Sequence, residues 1–239
     1  TRFEYDALNR PILTAVQDGS AWAETDTRYD LAGNPTRIID PLERVTVYTF
    51  NNWNLQTRVR LPSTTADPNA GPSTSTSYDQ WRNVLTVTSP RGGVTQNEYD
   101  RLNRLTRQLQ PSPGVNITRP ETTFKYDAVG NVVLQCVLMN RIGTSEVWTE
   151  TETTYDELNR VIRTEVRKSQ IPSSSSLSPT TITSTVYDRV GNILSVTRHG
   201  ETTAQNRTTS FQYDRLNRKV AEIDPAPSST SGSPGIRYR

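Results

Sequence analysis

Nine times along the chain an aromatic residue is followed at once by Asp or Asn: Tyr5-Asp6, Tyr29-Asp30, Phe50-Asn51, Tyr78-Asp79, Tyr99-Asp100, Tyr126-Asp127, Tyr155-Asp156, Tyr187-Asp188 and Tyr213-Asp214. A side-chain oxygen repeated in one context offers two chemistries. It can ligate cations, or it can accept a hydrogen bond from a backbone N–H two residues on and so start a turn. The even recurrence, every 21 to 32 residues, favours the turn. Other reactive types are sparse. The single histidine, His199, lies between Arg198 and Gly200 in a polar stretch and reads as a solvated loop residue. The single cysteine, Cys136, lies in an apolar run and reads as a small buried hydrophobe, so no intrachain disulfide is available.

One histidine cannot supply a supported Ser–His–Asp or Cys–His set, and HExxH, CxxC and Gly-rich phosphate loops are all missing. No catalytic, cofactor-binding or metal-ligating residue is therefore assigned, no cofactor is expected, and an enzyme is the least favoured class. Trp53 and Trp81 stand at an apolar position of the repeat, which points to core packing; Trp22 and Trp148 lie outside it and are the better candidates for a surface role such as stacking on sugars. Asn116 and Asn206 open N-x-T sequons and are candidate glycosylation acceptors.

The elements that must position these residues follow from the rest of the motif. Three places after the aromatic residue the chain is apolar in every copy: Leu8, Ala32, Trp53, Trp81, Leu102, Val129, Leu158, Val190 and Leu216. The next residue is Asn9, Gly33, Asn54, Arg82, Asn103, Gly130, Asn159, Gly191 or Asn217. Gly and Asn tolerate positive φ best, so an Asx acceptor followed by a left-handed residue predicts a hairpin turn. Arg82 predicts strain or a different turn. Alternating aromatics precede the motif (Phe3 and Tyr5, Tyr48 and Phe50, Phe124 and Tyr126, Phe211 and Tyr213), and β-rich runs follow it at 84–88, 132–137, 161–166 and 193–197. Each repeat thus reads as strand, tight turn, strand, with the aromatic face packing inward and the Arg, Thr and Glu positions alternating outward. L-N-R copies alternate with G-N copies, so the unit is a pair of hairpins. Arg10, Arg104, Arg160 and Arg218 recur at one motif position and predict a ladder, either paired with nearby carboxylates such as Glu157 or open to glycans and polyanions.

Residues 63–77, 110–120, 169–184 and 224–235 are rich in Ser, Thr and Pro, or carry Pro, and read as loops leaving the rim opposite the Tyr-Asp turns. Nine hairpins give about eighteen strands and, at roughly 4.8 Å per strand, a sheet on the order of 85 Å across. A sheet that wide must curl. Only 32% of the residues are hydrophobic, too few to fill a wide interior. The expected architecture is all-β: tandem hairpins over residues 1–239 in one array, forming a spiralling sheet that is part of a hollow shell or tube. A net charge of +2 with Arg interspersed among carboxylates does not indicate a nucleic-acid partner, and no membrane span is visible. The repeats reach both ends of the sequence, which suggests a fragment of a longer array.

The pattern YDxΦ[GN][NR] at this spacing, with DPLERVTVYTFN at 40–51 between copies, resembles the YD-repeat or Rhs (rearrangement hotspot) family over essentially the whole chain. The resemblance implies a bacterial, secreted or surface-displayed β-shell wall, as in toxin-complex cocoon subunits, Rhs polymorphic toxins and teneurins. In the toxins of that family the shell encloses a C-terminal effector. Asp40-Pro41 and Asp224-Pro225 read as ordinary connections, without the paired motif that the family's self-cleavage needs. Two functions follow as expectations. The first is a non-enzymatic shell segment that encapsulates an effector. The second is an extracellular fibre or adhesion element of end-to-end repeats, glycosylated or glycan-binding. The expected partners are the rest of the same polypeptide or neighbouring copies joined by strand pairing, an enclosed effector, and surface glycans.

Overall fold

The computed structural model describes every residue except 66, 68–69, 115–118, 143–144, 170–180, 226–235 and 239. The chain divides into two compact units, Thr1–Arg119 and Pro120–Arg239. Among the described residues of the first, ten strands follow one another: β1 Arg2–Tyr5, β2 Pro11–Asp18, β3 Ala21–Tyr29, β4 Pro35–Ile39, β5 Val45–Phe50, β6 Gln56–Arg60, β7 Ser73–Tyr78, β8 Val84–Thr88, β9 Val94–Tyr99 and β10 Leu105–Leu109. The second holds β11 Glu121–Tyr126, β12 Val132–Ile142, β13 Ser145–Tyr155, β14 Val161–Ser169, β15 Thr181–Tyr187, β16 Ile193–His199, β17 Arg207–Tyr213, β18 Lys219–Ile223 and β19 Ile236–Tyr238, with one 3-10 turn at Thr203–Gln205. Within each unit every strand pairs antiparallel with the next. The fold is all-β, a meander of hairpins in which strands pack on their sequence neighbours. No helix among the described residues is long and apolar enough to cross a membrane.

Each Tyr-Asp turn is a three-residue hairpin loop, a type I turn closed by a left-handed residue. In the first, the Asn9 N–H donates to the Asp6 carbonyl and the Asp6 N–H to the Arg10 carbonyl, both at 3.0 Å. The register shifts just before each Tyr, so that Tyr5 lies opposite Pro11 and Tyr29 opposite Pro35. Proline is tolerated there because it is the first residue of its strand. Arg82 forms the same turn as the others, with its φ at 72°. The strain is thus present and the different turn is not: the Asp79 bonds hold a side chain that left-handed backbone disfavours.

Three loop boundaries differ from the sequence reading: Ser169, read as the start of a loop, ends β14 opposite Trp148. Residues 73–77, read as loop, lie in β7, where Ser75 stands opposite Arg58; residues 181–184 lie in β15, where Thr183 stands opposite Thr164. Alternating Thr fits a pleated strand as well as a solvated loop, so composition alone did not separate them. The described parts of the four loops connect strands at the rim away from the Tyr-Asp turns; 115–118, 170–180 and 226–235 fall outside the described residues.

The core is small. Cys136, Leu138 and Trp148 are buried together on β12 and β13 with Leu134 against them. Trp148 is only 3% exposed, which overturns its surface role: it stands opposite Leu138 on neighbouring long strands. Trp53 and Trp81, read as core, are exposed, Trp81 by 64%, because their position is the turn tip, with no strand beside it. Trp22 is exposed at the tip of the β2–β3 hairpin. Phe3 and Tyr5, placed on an inward face, are about half exposed, since β1 makes its packing contacts with β2, its neighbour in the same sheet.

Candidate functional site

The motif residues assemble a ladder of side-chain bonds along the turn rim. In the first turn Asp6 Oδ1 accepts from the Leu8 N–H at 2.9 Å and the Arg10 N–H at 3.0 Å, while Oδ2 accepts from Arg10 Nε at 2.7 Å. Asp100, Asp156 and Asp214 repeat this with Arg104, Arg160 and Arg218, each at 2.7 Å from Nε. The arginine ladder is thus paired with the motif aspartates themselves and not with Glu157, because the turn brings position six back over position two. In the G-N turns an asparagine takes the arginine's place: Asn34, Asn83, Asn131 and Asn192 donate to Asp30, Asp79, Asp127 and Asp188 at 2.8–3.0 Å.

Neighbouring turns are then tied together, and the alternation of the two kinds acquires a reason. Arg10 Nη1 reaches the Asp30 carbonyl, and Arg160 Nη1 the Asp188 carbonyl, at 3.0 Å. Each G-N asparagine donates onward to the left-handed asparagine of the next L-N-R turn: Asn34 to Asn54, Asn83 to Asn103, Asn131 to Asn159 and Asn192 to Asn217, at 2.8–3.1 Å. Two L-N-R turns thus donate onward through arginine, and the G-N turns donate through asparagine to an acceptor that only the L-N-R form carries.

The tyrosines add a second tie. The Tyr29 hydroxyl donates to the Pro11 carbonyl, Tyr78 to Gln56, Tyr99 to Val84, Tyr155 to Val132, Tyr187 to Val161 and Tyr213 to Ile193, at 2.8–3.1 Å. The acceptor is always the residue just after the preceding turn. Guanidinium stacking reinforces the contact, with Arg10 4.7 Å from the Tyr29 ring centre and Arg160 4.6 Å from that of Tyr187. Phe50 has no hydroxyl for Pro35, Asn51 has no carboxylate, and Leu55 has no guanidinium, so this turn lacks those three ties and is held by its backbone bonds, by Asn51 Oδ1 accepting from the Trp53 and Leu55 N–H, and by Asn54 accepting from Asn34.

The aspartates sit below the ordinary value of 3.8. For Asp6 the Arg10 side-chain bond is the largest cause and its N–H the next. For Asp127 desolvation is largest and raises the value, but the Asn131, Gly130 and Val129 donors together outweigh it. These carboxylates are saturated by turn donors. Among the described residues no group of three or more His, Cys, Asp and Glu is placed to hold a metal ion.

Sequence reasoning missed a repeat of the same device on the other rim. Asp40 accepts from Leu42 and Arg44 N–H and from Arg44 Nε, and Glu43 takes the left-handed place at φ 59°. Asp40-Pro41 is thus part of a full turn rather than a plain connection. The Asp-x-Leu-x-Arg spacing was the available signal, hidden by Glu43 and by Ile39 standing where Tyr would be. Ser89, Gly92 and Gly93 close a similar turn.

His199, read as a loop residue, ends β16 opposite Ile182, with Nε2 2.8 Å from Ser184 Oγ, because the strand runs two residues past the apolar run. Cys136 is buried, its thiol pushed up chiefly by desolvation. Asn206 is half-buried, its Oδ1 accepting from Gly200 N–H at 3.1 Å; Asn116 falls outside the described residues.

The RHS Repeat family model matches residues 29–66 and 187–228. No curated protein matches the chain in sequence. Among solved structures, TcdB2-TccC3 with Cdc42 is similar at a TM-score of 0.62 and 19% identity, over 84% of this chain and 10% of that one. TcdB2-TccC3 itself matches at 0.63 and 13% identity, over 98% and 15%. A Tc holotoxin pore of Photorhabdus luminescens matches at 0.62 and 20% identity, over 83% and 10%. The chain therefore spans a small part of the length of the structures it resembles, and the likeness is one of fold.

Proposed function

We infer that this chain, a member of the YD-repeat (Rhs) family, is a non-enzymatic wall segment of a β-shell that encloses a toxin or effector domain within a much larger secreted bacterial protein. The observation that carries this reading is the ladder itself. The most regularly repeated side chains are spent on tying each hairpin to the next, and the residues with reactive chemistry are scattered. Cys136 is buried and His199 hydrogen-bonds a serine. The fold shared with TcdB2-TccC3 supports a structural role. A hydrogen-bonded wall with few buried apolar side chains suits a container, because its rigidity comes from polar ties along the rim rather than from a filled interior.

Electron microscopy of the native full-length particle tests this. A closed particle with density inside it is the expected result. A particle without a cavity would overturn the reading, and a continuous filament would transfer the repeats to an extracellular fibre.

A further inference from the structure

One face of the first unit carries charge that the sheet itself does not use. Arg28 on β3 lies directly opposite Arg37 on β4; Arg37 lies opposite Val47 on β5, Val47 opposite Arg60 on β6, and Arg60 opposite Ser73 on β7. Residues directly opposite one another share a face. Arg58, two places along from Arg60, points the same way. Two arginine pairs, Arg28 with Arg37 and Arg58 with Arg60, thus flank the β5 strand, and the row spans roughly 14 Å at about 4.8 Å per strand.

Like charges directly opposite in a sheet are destabilising, and little offsets them here. Asp26 Oδ1 stands 3.7 Å from Arg28 Nε, and Arg58 Nη2 donates to Ser73 Oγ at 3.1 Å. Among the described residues no hydrogen bond or ion pair reaches the Arg37 or Arg60 side chain, and the Nε atom of each is buried without a partner. A desolvated donor with nothing to donate to is a cost in the empty protein. Forked, always-charged guanidiniums held in pairs are the arrangement that recognises oxyanions.

We propose that Arg28, Arg37, Arg58 and Arg60 form a binding site for a multivalent oxyanion, one acidic group per arginine pair. The Ser73 hydroxyl beside Arg60 adds a neutral donor. The side chain of Val47 keeps the two pairs apart, so a ligand with two or more linked acidic groups is favoured over a single small ion. Two sources share that chemistry, a phosphate chain and the carboxylates of an acidic peptide. The site is distinct from the turn ladder, whose arginines are already paired, and it does not rest on the shell reading.

Calorimetric titration of the full chain at low salt with tripolyphosphate, and separately with hexaglutamate, tests it. One probe is expected to bind at one site per chain and so to identify the source. Arg37→Gln and Arg60→Gln are each expected to weaken it about tenfold or more, the loss of a charge-assisted bond, and the double variant to abolish it. Melting without ligand separates binding from scaffolding: both variants are expected to melt at or above the parent temperature, since they relieve repulsion. Absence of binding by both probes, unchanged affinity in the variants, or a lowered melting temperature without ligand would each overturn the proposal.

Discussion

The two units use the same turns but finish their charged faces differently. In the second, Arg167 bonds Glu152 at 2.6 Å and also pairs with Glu165, which Arg163 bonds at 2.6 Å. That network closes on itself: each arginine has a carboxylate, and Glu165 is held below its ordinary value, first by its bond to Arg163. In the first unit Arg37 and Arg60 have no such partners. The turn ladder is common to both units, so hairpin construction does not dictate what the faces carry. The rim specifies the architecture, and the strand faces are free to become a packed network or an open site.

The comparison can be pressed first by acid, which acts on the ladder of both units at once. Every motif aspartate has its value lowered in the folded chain, as does Asp40. A lowered folded value means stability that is fully present above the unfolded value of 3.8 and is lost as pH falls through the folded values. Chemical denaturation should therefore give a flat plateau from neutral pH down to about pH 5 and a steep loss below about pH 4, the largest effect expected. Next comes Trp148→Ala, which empties the cluster of Cys136, Leu138 and Trp148 and should cost the second unit about 3–5 kcal/mol by the same measurement.

The two units differ most sharply at their strand-face arginines. Arg167→Gln should destabilise by about 1–2 kcal/mol, because it strips two carboxylates of their partner, whereas Arg37→Gln should leave stability unchanged or raise it. Equal losses for both would erase the distinction between the faces. The tyrosine tie is smaller. Tyr187→Phe should cost about 1 kcal/mol, and Phe50→Tyr, which supplies a hydroxyl for the Pro35 carbonyl, should gain a similar or lesser amount. Smallest of all, Arg82→Gly should raise stability by about 0.5 kcal/mol, the relief of a left-handed side chain less the added chain entropy. Thermal melts resolve both.

The turns were legible in the sequence because their chemistry is local. An Asp two residues from the N–H it accepts, and a Gly or Asn where φ must be positive, can be recognised without knowing any partner strand. The Asp40–Arg44 turn escaped because Glu43 supplies positive φ without being Gly or Asn. The onward bonds from Asn34 to Asn54, or from the Tyr187 hydroxyl to Val161, join residues 20 and 26 apart and required the register. The face assignments were illegible for a related reason. Trp148 is buried because Leu138 stands opposite it, and Arg37 is unpaired because Arg28 and Val47 stand on either side. Neither neighbour can be named from alternation alone.

Amide hydrogen exchange across the full chain tests the central claim, that the repeated motif is construction. The N–H of each turn-opening residue, from Asp6 to Asp214, donates inward across its own turn. These amides are predicted to be protected to the level of the adjoining strands, with Asn51 the least protected because its turn has lost the tyrosine, carboxylate and arginine ties. Turn amides that exchange at the rate of open loops, with Asn51 no different from the rest, would contradict the account.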